Sequence, residues 1–142
     1  MSTGSTDASA LTGFSPPVSF GSPDWSAVPD APGVYVIYDR DEVLYVGMAG
    51  RDGKGSLRRR LRDHSSGQVV NMFAQYLFLA RVQFTGSERV THPRAAKAAC
   101  RSYISARCAF RFRPLANAAQ ARALEATLKH HLRPALNAAG LE

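Results

Sequence analysis

The sequence predicts a small α/β domain of the α+β kind, with a mainly antiparallel three-stranded sheet flanked by helices. Three observations lead there. Two short apolar runs lie on either side of a polar turn, stretches with helix caps and helical periodicity follow them, and a late extended run alternates apolar with basic residues. The chain has 142 residues, a length that suits one hydrophobic core better than two.

Residues 1–24 are rich in Ser, Thr, Gly and Pro and show no sustained periodicity. They are expected to form a flexible tail, with too little apolar surface to offset the entropy of ordering, ahead of a folded domain over 25–142. In the stretch PGVYVIYDRDEVLYVG, the runs 34–38 and 43–47 read as a hairpin around the turn 39–42. Both runs are apolar at nearly every position, so both faces of the sheet are expected to be covered. The parity of the turn decides where Tyr35 and Tyr45 point. An odd turn makes them neighbours, whereas an even turn sends them to opposite faces, because strand side chains alternate.

After a Gly-rich link over 48–55, Ser56 stands where an N-cap belongs, ahead of a helix over 57–64. At about 100° per residue, Leu57 and Leu61 mark the buried stripe of that helix and Arg58, Arg59 and Arg62 turn away from it. Arg60 and His64, four apart, lie one above the other at the margin of the stripe. Residues 69–79 favour a buried helix over a strand, 81–85 look extended, and Pro93 opens a helix over 94–104. The run 108–113 supplies the third strand. Asn117 can cap a last helix reaching Leu132, and Pro134 blocks its continuation. Ala121, Leu124, Leu128 and Leu132 form the buried stripe of this helix, with Glu125 at its border.

Composition narrows the function. The net charge is +7, yet residues 1–30 hold three acids and no Lys or Arg, leaving 18 basic residues against eight acids in the remainder. Such basicity invites a polyanionic partner, although an excess of Arg over Lys in an Ala-rich chain is also a skew that composition alone produces. Cys100 and Cys108 are too few for a disulfide scaffold and lack the spacing of a zinc site. No apolar run has membrane-spanning length and the N-terminus lacks a secretory pattern, so a cytoplasmic protein without a membrane partner is expected. P-loop, dinucleotide and metalloprotease patterns are missing as well.

Taken together, the remaining residues resemble the GIY-YIG nuclease family. Gly33-Val34-Tyr35 stands where that family has its first triplet, and Tyr45-Val46-Gly47 where it has the second, one hairpin later. Arg60 and His64 are similar to its Arg-x-x-x-His on the following helix, Glu125 to its metal-binding Glu, and Pro134-Ala135-Leu136-Asn137 to its closing motif. The likeness spans about residues 32–137, with five elements in the family's order. Met48 departs from the pattern, since many members carry Lys there; Arg51 and Lys54 are the cations that could take its place.

The resemblance implies a GIY-YIG-like fold and a metal-dependent endonuclease that hydrolyses phosphodiester bonds of DNA with one Mg²⁺ or Mn²⁺. It gives Glu125 the metal, Arg60 a phosphoryl oxygen, and Tyr35 the water, as base or positioner. His64 is the alternative base, Tyr45 a hydrogen-bonding support, and Asn137 the group that orients Glu125. Arg51, Lys54, Arg58, Arg59 and Arg62 are the expected DNA contacts. Repair, restriction and mobile-element roles all suit such an enzyme. No separate targeting domain is expected within this length, so target choice would fall to the loops 48–55 and 86–92, to a homodimer or to a targeting protein partner. The competing reading is a catalytically silent nucleic-acid-binding or partner-docking module on the same fold.

Overall fold

In a computed structural model, the described residues are 11–50, 56–66 and 93–135. The helix expected over 69–79, the extended stretch 81–85, and Arg51, Lys54 and Asn137 lie outside them. The elements in chain order are β1 (Val18–Ser19), a 3₁₀ turn (Trp25–Ala27), β2 (Gly33–Asp39), β3 (Glu42–Ala49), α1 (Leu57–Ser65), α2 (Pro93–Arg107), β4 (Cys108–Pro114) and α3 (Ala118–Leu132). All strand pairings are antiparallel, in the spatial order β1-β4-β2-β3. The α+β class agrees with expectation, but the sheet has four strands and not three.

The fourth strand comes from the segment expected to be a tail. Val18 and Ser19 pair with Phe110 and Ala109, Leu11 and Phe20 are buried, and Trp25 stacks on Phe110 with ring centroids 5.8 Å apart. Ser15 N–H donates to the Phe112 carbonyl at 2.8 Å, and Ser15 Oγ accepts from Phe112 N–H at 3.1 Å. Residues 11–24 therefore belong to the fold, which corrects the expected boundary at residue 25. Their apolar residues have no period of their own because each is fitted to β4, about 90 residues later in the chain, and local sequence carries no trace of such a pairing.

Two apolar layers clothe the sheet. Tyr35, Ile37 and Tyr45 face one side with Leu57, Leu61, Ile104 and Phe110. Val34, Val36, Val46 and Met48 face the other, against Ala121 and Leu128 of α3. This is the two-sided burial that the uninterrupted apolar runs predict. It also explains Met48, which sits beneath α3 as a core residue. Among the described residues, no helix is long and apolar enough to cross a membrane.

The hairpin combines both parities. Asp39 pairs with Glu42 across a two-residue turn, which alone would send the tyrosines to opposite faces. The register then slips between Ile37 and Tyr38, so that Tyr38 faces Val43, Ile37 faces Tyr45, and Leu44 is the extra residue. One inserted residue restores the alternation. Tyr35, two residues from Ile37, consequently shares a face with Tyr45. Arg40 takes a left-handed φ of 58° at the turn, and its N–H donates to the Arg107 carbonyl at 3.2 Å.

Caps delimit the helices as expected. Ser56 Oγ accepts from Arg59 N–H at 3.2 Å, and Asn117 Oδ1 from Gln120 N–H at 2.9 Å. Arg133 closes α3 in a left-handed conformation, immediately before Pro134.

Candidate active site

Two strands and one helix bring four polar or aromatic side chains together. Tyr35 on β2 lies opposite Gly47 on β3, and a Cβ built at Gly47 would fall on the Tyr35 hydroxyl. The glycine of Tyr45-Val46-Gly47 is thus needed for the phenol to lie across its neighbour strand. From α1, His64 is fully buried and its Nε2 lies 2.6 Å from Tyr35 Oη. The His64 ring centroid is 5.3 Å from that of Tyr35 and 5.8 Å from that of Tyr45. The two tyrosine rings stand 6.4 Å apart. His64 lies deeper than the core margin at which the helical period places it, because the tyrosines extend the apolar layer over it.

Arg60, one turn before His64, is half-buried, and its charge acts on the Tyr35 hydroxyl. With the imidazole proton on Nδ1, His64 Nε2 accepts from the Tyr35 hydroxyl. Burial pushes the Tyr35 phenol well above its ordinary range; Tyr45 and Glu125 push the same way and Arg60 opposes them. Arg60 favours the phenolate, but desolvation outweighs it, and Tyr35 is neutral at neutral pH. For Arg60 itself, burial works against the charge while Tyr35, Tyr45 and Asp63 favour it, and the guanidinium ends above its usual value.

Glu125 lies on α3, whose buried residues pack on the other face of the sheet from Tyr35. Its side chain is 13% exposed and pairs with Lys129 Nζ at 3.4 Å, one turn along the helix. Its charge is felt at the Tyr35 hydroxyl. Among the described residues, no group of three or more His, Cys, Asp or Glu side chains could hold a metal together. A hard cation such as Mg²⁺ needs fewer protein ligands, since it keeps several waters and takes one or two carboxylates with substrate phosphates. Glu125, a half-buried oxygen donor, fits that requirement.

The expected DNA contacts divide. Arg59 and Arg62 are exposed and line an open pocket of about 480 Å³ with Asp30, Ser56, Arg58 and Asp63. Arg58 does not simply point outward: it is half-buried, and its Nε donates to the Val28 carbonyl at 2.8 Å, tying α1 to the segment before β2. Cys100 and Cys108 are buried, and burial pushes the Cys100 thiol up to about 11.

Sequence reasoning passed over two features. Lys129 could have been found from its spacing to Glu125, since side chains four apart on a helix meet. Asp39 could not. It is buried and accepts from Tyr103 Oη and from Arg107 Nε at 3.1 Å, partners more than 60 residues away. No protein-family model, curated protein or solved structure matches the chain, so its function is argued from the geometry of its own residues.

Proposed function

We propose that the chain is a metal-dependent endonuclease of the GIY-YIG type, hydrolysing phosphodiester bonds of DNA with a single Mg²⁺ or Mn²⁺. The observation that carries this proposal is the packing of Tyr35, Tyr45 and His64 against one another, with the charge of Arg60 acting on the Tyr35 hydroxyl.

Hydrolysis of a phosphodiester builds negative charge on the nonbridging oxygens and on the leaving oxygen. Arg60, a permanent planar cation at the edge of the tyrosine cluster, is suited to a nonbridging oxygen as its charge grows. The attacking water must lose a proton, and a phenolate is not required for this. Tyr35 can take the proton from water while passing its own to His64 Nε2, so that both pass along one hydrogen-bonded line and the imidazole ends protonated. A buried phenol with a raised pKa suits such a relay, because Tyr35 stays neutral before and after the transfer. Tyr45 packs edge-on to the imidazole and fixes its plane. Glu125 would hold the metal ion, which when bound supplies Lewis-acid stabilisation of the phosphate and leaving oxygens. Arg59 and Arg62 offer phosphate contacts on the outer side of α1, and a cytoplasmic site of action belongs to the same proposal.

Nicking of supercoiled plasmid in Mg²⁺ or Mn²⁺ tests it, comparing the wild type with Tyr35→Phe and Glu125→Ala. Metal-dependent nicking is expected in the wild type, with a fall of at least about 100-fold in both variants, the scale on which a positioned proton-transfer group contributes. Equal nicking by all three proteins would sink the proposal. Salt-sensitive DNA binding with no cleavage by the wild type would point instead to a silent binding module.

A further inference from the structure

We propose that Lys129 is a resident counter-ion of Glu125, seated on the carboxylate in the free protein and displaced when a divalent cation binds there, so that it sets the metal affinity of the site. This rests on the assignment of Glu125 as the metal ligand and adds a positioning residue that the motifs do not contain. Lys129 Nζ stands 3.4 Å from Glu125 Oε2, and the amine side chain is 34% exposed against 13% for the carboxylate. The ammonium thus covers a less exposed anion. An ammonium and a divalent ion cannot share one carboxylate at such range without strong mutual repulsion in a partly desolvated setting. One of them must leave.

Lys129 is built to leave. An i,i+4 pair on a helix surface is weak, and a four-carbon stem swings at little cost. The freed ammonium also has somewhere to go. Lys129 lies in the last turn of α3, where the unpaired carbonyls of the helix end favour a cation. In the metal-free protein the pair keeps Glu125 oriented. On metal binding, Lys129 is a charge that has to be moved, and its removal is expected to tighten binding by about two- to fivefold, the worth of a pair of this kind.

Calorimetric titration of the full chain with Mn²⁺ alone, without DNA, tests this on the wild type, Lys129→Met, Lys129→Arg, Glu125→Gln and Arg101→Gln. The last removes one exposed charge from α2 and controls for net charge. Lys129→Met should lower the Kd about two- to fivefold, Lys129→Arg and Arg101→Gln should match the wild type, and Glu125→Gln should lose binding. If Glu125→Gln loses binding while Lys129→Met is indistinguishable from the wild type, the role of Lys129 is overturned and Glu125 stands as the ligand. If Arg101→Gln tightens binding as much as Lys129→Met, the effect is one of net charge and the proposal also fails. Wild-type affinity in Glu125→Gln would overturn the metal assignment itself, and the role of Lys129 with it.

Discussion

Strand β2 contributes one residue to a polar cluster near each of its ends, Asp39 at the turn and Tyr35 towards the start, and the two clusters differ in how their charges are matched. At the turn end, the buried Asp39 carboxylate accepts from Tyr103 and Arg107 together, while the Arg107 guanidinium also lies 5.1 Å from the centre of the Tyr103 ring. Anion, cation and phenol satisfy one another there, and the result is a clamp that ties α2 to the sheet. At the other end, the half-buried Arg60 acts on a neutral phenol, the phenol is hydrogen-bonded to an imidazole, and Glu125 of α3 is paired to Lys129. A half-buried guanidinium beside a neutral oxygen retains most of its attraction for an anion. The matched cluster suits a scaffold, and the unmatched one suits a phosphate.

The sharpest way to break this contrast is to remove one arginine from each cluster. Arg60→Gln should reduce plasmid nicking by about 10²–10³-fold, the scale of losing one preorganised donor to a developing oxyanion. Arg107→Gln should leave the nicking rate per folded molecule within about twofold of wild type. Comparable losses in both variants would mean that the two clusters are not functionally distinct.

A smaller effect is expected from the anion of the closed cluster. Asp39→Ala removes a buried carboxylate and leaves the Tyr103 hydroxyl without that acceptor, which should cost about 1–3 kcal/mol of stability by urea denaturation. The low end is favoured because the Arg107 side chain is 40% exposed and water can solvate it once the carboxylate is gone. The nicking rate of the folded variant should not change. A variant as stable as wild type would remove the clamp from the account of the fold.

The difference between the two clusters also explains how much could be read beforehand. Ser56, Leu57, Leu61, Arg60 and His64 sit within one helical stretch, where cap and period place them without any tertiary knowledge. Asn117 and the α3 stripe were legible for the same reason. What joins distant segments was not legible. The bulge at Leu44 depends on how β3 packs, not on its composition, and it reverses the parity that a two-residue turn would impose. The pairing of β1 with β4 and the Asp39 clamp are long-range in the same way. Lys129 is the exception, a local pair that spacing alone would have shown.

The alkaline limb of stability offers the finest test of the open cluster, because burial pushes Tyr35 far upward. An unfolded tyrosine ionises near pH 10. Folded Tyr35 keeps its proton beyond that point, so above about pH 10 the native state binds a proton that the unfolded chain has lost. Stability must then fall as pH rises, by about 1.4 kcal/mol per pH unit for this one group. Cys100, pushed from 9.0 up to about 11, adds its own fall over that lower interval, but it does so equally in wild type and in any Tyr35 variant. Tyr35→Phe should therefore be less stable than wild type at pH 8, where it lacks the hydrogen bond to His64, and should lose stability more slowly above pH 10. The two curves converge as pH rises. Asp39→Ala retains Tyr35 and should run parallel to wild type over the same range. Urea denaturation at half-unit steps from pH 8 to 11.5 reads all three curves. Parallel curves for wild type and Tyr35→Phe would show that the phenol ionises as freely in the folded chain as in the unfolded one, and would overturn the claim that burial holds its proton.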